Sequence, residues 1–311
     1  MIITFVGTNK GNNSAKKVAA AVGAMLSLSN NKKVCIIQIS NDATGIEDFY
    51  NGKTISQASI GMKQFGFDDH GIDGIIRKAD NMKLTKEHFH TACNCMLKSD
   101  NRLDILGNSK QKTFLDNIFI DGKTDSVRRV IQSADKLYNF VLVILPNRED
   151  IVEAFINEGD VNVCCVRQSE REEPFLTDKK NVMVITNFDP ESVYTVKNIT
   201  KEYKSEGVRL KTFPMIYNTQ FRDAYHGQVL LKWILKNCHV NTTDINYDFI
   251  TALQGLTDYI SDTEAEETEE PVPKKRRKNR PTKKKEKRIH VDDPEPTEPE
   301  ENNNEVSEIR D

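Results

Sequence analysis

Short apolar runs rich in Val and Ile recur along the chain, and most are followed by residues whose apolar positions keep helical spacing. Met1 to Gly7 (MIITFVG) is the first run. Ala15 to Ser29 follows, with Val18, Ala21, Val22, Met25 and Leu26 at helical spacing. A polar turn, SNNKK, leads into a second run, Val34 to Ser40 (VCIIQIS). This β-loop-α-β unit predicts a parallel strand pair joined by a right-handed crossover. Further strand candidates are Arg102 to Leu106, Phe140 to Leu145, Val161 to Val166 and Val182 to Asn187. Runs without apolar–polar alternation suit a parallel sheet covered on both faces. Helical patterns fall between and after them: Gly71 to Ala79, Leu84 to Leu97, Ser126 to Leu137, Ile151 to Glu158, Pro190 to Lys204, Gln228 to Asn237 and Phe249 to Ile260. The expected fold is α/β, a doubly wound and mostly parallel sheet with helices on both faces, over residues 1–260.

Residues 261–311 differ in kind. The chain of 311 residues is 37% hydrophobic and 29% charged, and the shortage of apolar residues is concentrated there. Such a stretch buries too little to offset its ordering entropy, so it is read as a disordered tail. The net charge of −3 conceals its pattern. Residues 1–261 carry 32 Lys+Arg against 31 Asp+Glu, whereas the tail runs acid, base, acid. Asp262 to Glu270 holds six acids. Lys274 to Arg288 holds eleven bases: Lys274, Lys275, Arg276, Arg277, Lys278, Arg280, Lys283, Lys284, Lys285, Lys287 and Arg288. Asp292 to Asp311 holds nine acids and one base. One reading is a self-neutralising solubiliser. The sharper reading is a patch for nucleic-acid phosphates, gated by its acidic flanks.

No run approaches the roughly 18 apolar residues of a membrane span. The opening MIITFVGTNKG has no basic region and is too short for a signal peptide. The cysteines Cys35, Cys93, Cys95, Cys164, Cys165 and Cys238 form no CxxC pair, which speaks against zinc and for a reducing, cytoplasmic setting. Cys35, Cys164 and Cys165 lie in apolar runs and are expected as buried thiols. His88 and His90, at i and i+2 of a helix, point to different faces and make a poor metal pair.

In a doubly wound sheet the ligand lies beyond the carboxyl ends of the strands. The first such loop is Gly7-Thr-Asn-Lys-Gly-Asn-Asn-Ser-Ala-Lys-Lys17. Free backbone N–H groups and the positive end of a helix suit a phosphate there. The candidates are Gly7, Lys10, Gly11, Asn12, Asn13, Ser14 and Lys16. The plainer reading is a polar turn that caps the helix through Ser14.

The loop resembles that of the MinD/ParA family of deviant-Walker P-loop ATPases, K-G-G-x-G-K-[ST]. Lys10 and Gly11 match its first two positions. Asn12 and Ser14 stand for the second and third glycines, Ala15 for the phosphate-gripping lysine and Lys16 for the magnesium-binding hydroxyl. Other pieces fall in the family's order: VCIIQIS…GIEDFYNG, HGIDGIIRKADNMKLTKEHF…NRLDILGNS, LYNFVLVILPN, VITNFDP and FPMIYNTQFRDAYHGQ. In VITNFDP the resemblance implies that Asn187 faces an adenine. The family also implies ATP or ADP, protein partners and a homodimer.

The departures are chemical. Where the family keeps acids at the ends of the second strand and the switch strand, this chain has Gln38, Ser40 and Ile144. A one-residue slip brings Lys16 to the lysine position, with Asp42 within reach of the metal. Phosphoryl transfer needs the lysine, the metal ligands and a group that orients water. The reading is therefore a degenerate nucleotide site that binds ATP or ADP weakly at most, with no catalytic residue. It predicts a non-enzymatic binding or positioning partner in DNA segregation or in a conjugation, secretion or pilus apparatus. Two alternatives stand beside it: an active ATPase that uses Lys10 and Lys16, and a DNA-associated regulator whose basic tail carries the activity. The Pro/Glu/Lys-rich end has no apolar helical face, so no membrane anchor is expected.

Overall fold

The computed structural model describes residues 1–8, 14–29, 31–42, 44–50, 70–98, 102–120, 122–168, 175–202 and 210–268. Among the described residues, eight strands form one sheet: β1 Ile2–Gly7, β2 Val34–Gln38, β3 Asn94–Lys98, β4 Arg102–Leu106, β5 Phe140–Ile144, β6 Val161–Arg167, β7 Lys180–Phe188 and β8 Leu210–Ile216. Their spatial order is β3-β4-β2-β5-β1-β6-β7-β8. All pairings are parallel except β3 with β4. The doubly wound, mostly parallel sheet read from the sequence is the one observed. One detail is corrected. β1 and β2 are parallel but not neighbours, because β5 lies between them and pairs with both.

Successive strand residues point to opposite faces, and β1 divides accordingly. Ile3 and Phe5 join one core and Ile2 and Val6 the other, which is why the strand carries no polar alternation. Helix α1 (Ser14–Ser29) lies in the first core. Val18, Ala19, Ala20, Ala21, Val22 and Ala24 are all buried there, so α1 is apolar on nearly every side. Small residues let it press on the sheet: a Cβ on Gly23 would stand 2.8 Å from Cδ1 of Ile36. The opposite core is closed by α2 (Gly71–Asn81), α3 (Lys86–Ala92), α4 (Phe114–Asn117), α5 (Lys123–Asp135) and α6 (Glu149–Phe155). Helix α7 (Val196–Glu202) adds Ile199 to it. On the α1 face follow α8 (Thr219–His226), α9 (Leu230–Asn237) and α10 (Tyr247–Thr268).

Three expectations need correction. The helix expected over Leu84 to Leu97 stops at Ala92, and Asn94–Lys98 is instead the antiparallel edge strand β3. Cys93 is extended (φ −89°, ψ 147°), which ends the helix, and pairing to β4 outweighs helical spacing in a run this short. Of Pro190 to Lys204, the described residues begin their helix only at Val196 and are helical over Val196–Glu202. The last helix passes Ile260 and runs through Thr268, taking up the start of the acidic stretch, because Ala and Glu favour a helix interior. In α9, Leu230 and Ile234 are fully buried, so the face that carries them packs on the core. Trp233 completes an aromatic group there, 5.7 Å from Phe221 and 5.9 Å from Phe249 between ring centroids.

Candidate functional site

The strand ends that receive ligands in such folds gather around the start of α1. Gly7 closes β1 opposite Cys165 of β6, and the Thr8 N–H continues that ladder to the Cys165 carbonyl at 3.2 Å. Asn147, just past β5, donates its side-chain amide to the Thr8 carbonyl. Ser14 is the first residue of α1 and is buried. Lys10, Gly11, Asn12 and Asn13 lie outside the described residues, as do the eleven bases of Lys274 to Arg288.

Lys16 is the residue on which this region turns. It leaves the first turn of α1 and crosses to the chain beyond β2. Its Nζ donates to Oδ2 of Asp42 at 2.8 Å and to the Thr44 carbonyl at 3.1 Å. Lys16 is 4% exposed and Asp42 48%, so one partner is sealed and the other faces water. Gln38, fully buried at the end of β2, ties the surroundings together. Its Nε2 donates to Ser40 Oγ at 2.6 Å and lies 3.5 Å from Oδ2 of Asp42, while its Oε1 accepts the Ile46 N–H at 2.9 Å. The Asp42 carbonyl accepts Asn108 Nδ2, and the Ser109 N–H reaches the Ser40 carbonyl at 2.9 Å. Ser109 is held in turn by Asp73, with 2.8 Å from Oγ to each carboxylate oxygen.

The next turn, a 3₁₀ segment Ile46–Phe49, carries Glu47. Its carboxylate fills the space beside two glycines: a Cβ would stand 2.3 Å from it at Gly45 and 2.9 Å at Gly107. Oε2 of Glu47 is buried without a hydrogen-bond partner, and burial pushes the Glu47 carboxyl above its ordinary range. Phe49 packs on Tyr225 of α8 at 5.6 Å, and Tyr50 donates its hydroxyl to the Ala20 carbonyl at 2.6 Å. Lys17, the neighbour of Lys16, stands 4.4 Å over the Tyr225 ring.

Asn187 is brought to the same edge of the sheet. It is exposed, at the end of β7, with φ of 53° where the register to β8 breaks. Asn tolerates this left-handed conformation better than most residues. The thiols of Cys35, Cys164 and Cys165 are buried as expected, and burial raises Cys164 to about 12. His88 uses Nδ1 to accept the Thr85 N–H at the start of α3.

Sequence reasoning missed one polar centre. Asp104, in β4, has no exposed surface. Its Oδ2 accepts Arg102 Nε and the Tyr138 hydroxyl, the latter at 2.6 Å. Contact with the Cys93 thiol, followed by burial, drives the Cys35 thiol well above its usual value, and Asp104 adds to this. A lone acid inside the apolar run RLDIL was the available signal, since a charge in a strand covered on both faces must be paired.

These features define a doubly wound α/β domain with a polar, charge-paired strand-end site at the start of α1. The chain has the ParA/MinD-like P-loop ATPase fold. A ParA family ATPase from Chlorobium tepidum superposes with a TM-score of 0.61 at 15% identity, over 83% of this chain and 98% of that one. A putative plasmid partition protein from Borrelia burgdorferi, bound to AMPPNP, gives 0.54 at 15%, over 84% and 98%. A chain of the MinC:MinD cell division protein complex of Aquifex aeolicus gives 0.53 at 12%, over 88% and 98%. The sequence matches no protein-family profile and no curated protein sequence. No helix among the described residues is long and apolar enough to cross a membrane.

The described part of the site holds none of the free acids that a magnesium triphosphate would use at the ends of β2 and β5. Ala15 offers no ammonium, Lys16 offers no hydroxyl, and β2 and β5 end in Gln38 and Ile144. The nearest acid past β2, Asp42, is engaged by Lys16.

Proposed function

We propose that this chain is a ParA/MinD-like pseudo-ATPase, a non-hydrolysing partner that positions other macromolecules. The Lys16–Asp42 ion pair carries this reading. Hydrolysis needs a cation that moves charge off the transferring phosphoryl group and carboxylates free for metal and water. Here the cation and the nearest carboxylate satisfy each other. A fold that has lost its chemistry retains its shape and its surfaces. Solved structures of similar fold include a ParA family ATPase, a putative plasmid partition protein and a MinC:MinD cell division complex, which supports a positioning role; the setting we assign is DNA segregation or a conjugation, secretion or pilus apparatus. We assign it a protein partner, a homodimeric state and weak binding of ATP or ADP at most. The block Lys274 to Arg288 adds non-specific contact to DNA phosphates.

The test is ATP hydrolysis by the full chain with magnesium. No turnover above the uncatalysed background is expected. Turnover that disappears in Lys16→Ala would establish an active enzyme and overturn the reading.

A further inference from the structure

We infer that Asp42 is a built-in occupant of the anion position beside Lys16, so that it excludes phosphate-bearing ligands from the start of α1. This deepens the proposed function and rests on that reading of the site. A lysine that is 4% exposed has almost no water around its ammonium and must keep a counter-charge in contact. Asp42 supplies that charge at 2.8 Å. The Thr44 carbonyl accepts a second hydrogen bond from the same ammonium at 3.1 Å.

The carboxylate is placed, not adrift. Lys16 from α1 and Gln38 from the end of β2 approach its Oδ2, at 2.8 Å and 3.5 Å, and Asn108 from the loop after β4 donates to the Asp42 backbone carbonyl. That loop is itself fixed by the Ile72 N–H on the Gly107 carbonyl at 3.0 Å and by Ser109 on Asp73. Glu47 lies close enough to Lys16 to feel its charge, so the surroundings of the ammonium are acidic. An incoming phosphate finds the attractive charge already neutralised and meets the negative charge of Asp42 first, since Asp42 is the partner that faces solvent. To bind, it must displace a carboxylate that is held at both its side chain and its carbonyl. Asp42 is thus a specificity-determining residue that works by exclusion.

The inference predicts a gain of binding. ATP in EDTA is titrated into the full native chain, Asp42→Asn, Lys16→Met and the double variant, by calorimetry. Asp42→Asn keeps the shape and the Asn108 contact but removes the competing charge, and its affinity for ATP should rise about tenfold or more. The double variant should lose that gain, because the freed ammonium is gone. Lys16→Met alone should leave native affinity unchanged, because Lys16 is already spoken for. The inference is overturned if Asp42→Asn binds no tighter than the native chain, or if its gain survives in the double variant. Should Asp42→Asn fail to fold, Lys16→Met still decides: lower ATP affinity than the native chain would mean that Lys16 is open to phosphate. Native binding that depends on Lys16 without turnover sinks this inference alone, whereas turnover with magnesium sinks the pseudo-ATPase reading.

Discussion

Tyr138 donates its hydroxyl to Oδ2 of Asp104 at 2.6 Å, and Asp104 has no surface exposed to water. Arg102, partly exposed, reaches the same oxygen. A buried carboxylate keeps its charge only while its hydrogen bonds are made. The Tyr138 ring packs edge-on against Phe89 at 6.2 Å, and phenylalanine would preserve that contact. Tyr138→Phe therefore isolates the hydroxyl. It should cost about 1.5–3 kcal/mol in urea unfolding, the range for a hydrogen bond to a charged group. A loss below about 0.5 kcal/mol, the level of an ordinary surface change, would mean that Arg102 alone satisfies Asp104.

Lys16 and Asp42 should respond unequally to mutation, although they share one bond. Asp42→Asn leaves an ammonium sealed against α1 without its carboxylate. Because Asp42 is itself half exposed, the cost should be about 1–2 kcal/mol, less than the ~3–5 of a wholly buried pair. Lys16→Met removes the charge that needed a partner and frees Asp42 to water, so it should stay within about 0.5 kcal/mol of the native chain. Thermal unfolding of both variants checks this. Equal losses would show that the pair acts as a surface bridge.

The strands show how far the chain could be read in advance. β4 (RLDIL) is an apolar run interrupted by Asp104, and β1, β2, β5, β6 and β7 are buried along most of their length, so their sequences carry Val/Ile-rich runs that announce themselves. The two edge strands do not. Met96 and Leu97 of β3 follow α3 with hardly a break and fit its helical spacing. β8 contains Pro214, which suits an edge strand, and is half exposed, which blurs its signal. At the site, residue types told that the acids were missing from β2 and β5. They did not tell that Lys16 would turn away to Asp42, because 26 positions separate the two and only the packing of α1 on β2 joins them. Asp104 went unnoticed for a related reason. Its partner Tyr138 is 34 residues away, and a single acid in an apolar run looks like an accident until the fold pairs it.

Glu47 predicts a pH effect of definite sign. Burial raises its folded-state value, so the folded chain holds the proton more tightly than the unfolded chain does. Below the unfolded value, about pH 4, both states are protonated and there is no penalty. As pH rises from there through the folded value, the unfolded state gains and stability falls. Glu47→Gln removes the titration and keeps the shape between Gly45 and Gly107. The variant should match the native chain near pH 4 and be more stable at pH 7. Urea midpoints across that range decide it. A variant less stable at pH 7 would mean that the carboxylate charge is needed there by Lys16 or Lys110.

Lys274 to Arg288 carries eleven positive charges in fifteen residues, flanked by Asp262 to Glu270 and Asp292 to Asp311. Bases so dense and so poor in apolar neighbours contact phosphate and not base edges, so binding to DNA should be independent of sequence and steeply dependent on salt. The acidic blocks are covalently attached, and a tether of this length keeps them at high effective concentration near the bases. They compete with DNA for the same charges. Removal of Asp292 to Asp311 should therefore raise affinity for a random duplex, and replacement of the eleven bases by Gln should abolish it. Titrations at several salt concentrations measure both. Each phosphate neutralised contributes about −0.9 to the slope of log affinity against log salt, so several contacts give a slope of several units. A flat salt dependence, or affinity unchanged by the Gln replacements, would confine the tail to a solubilising role and place any DNA contact on the folded domain.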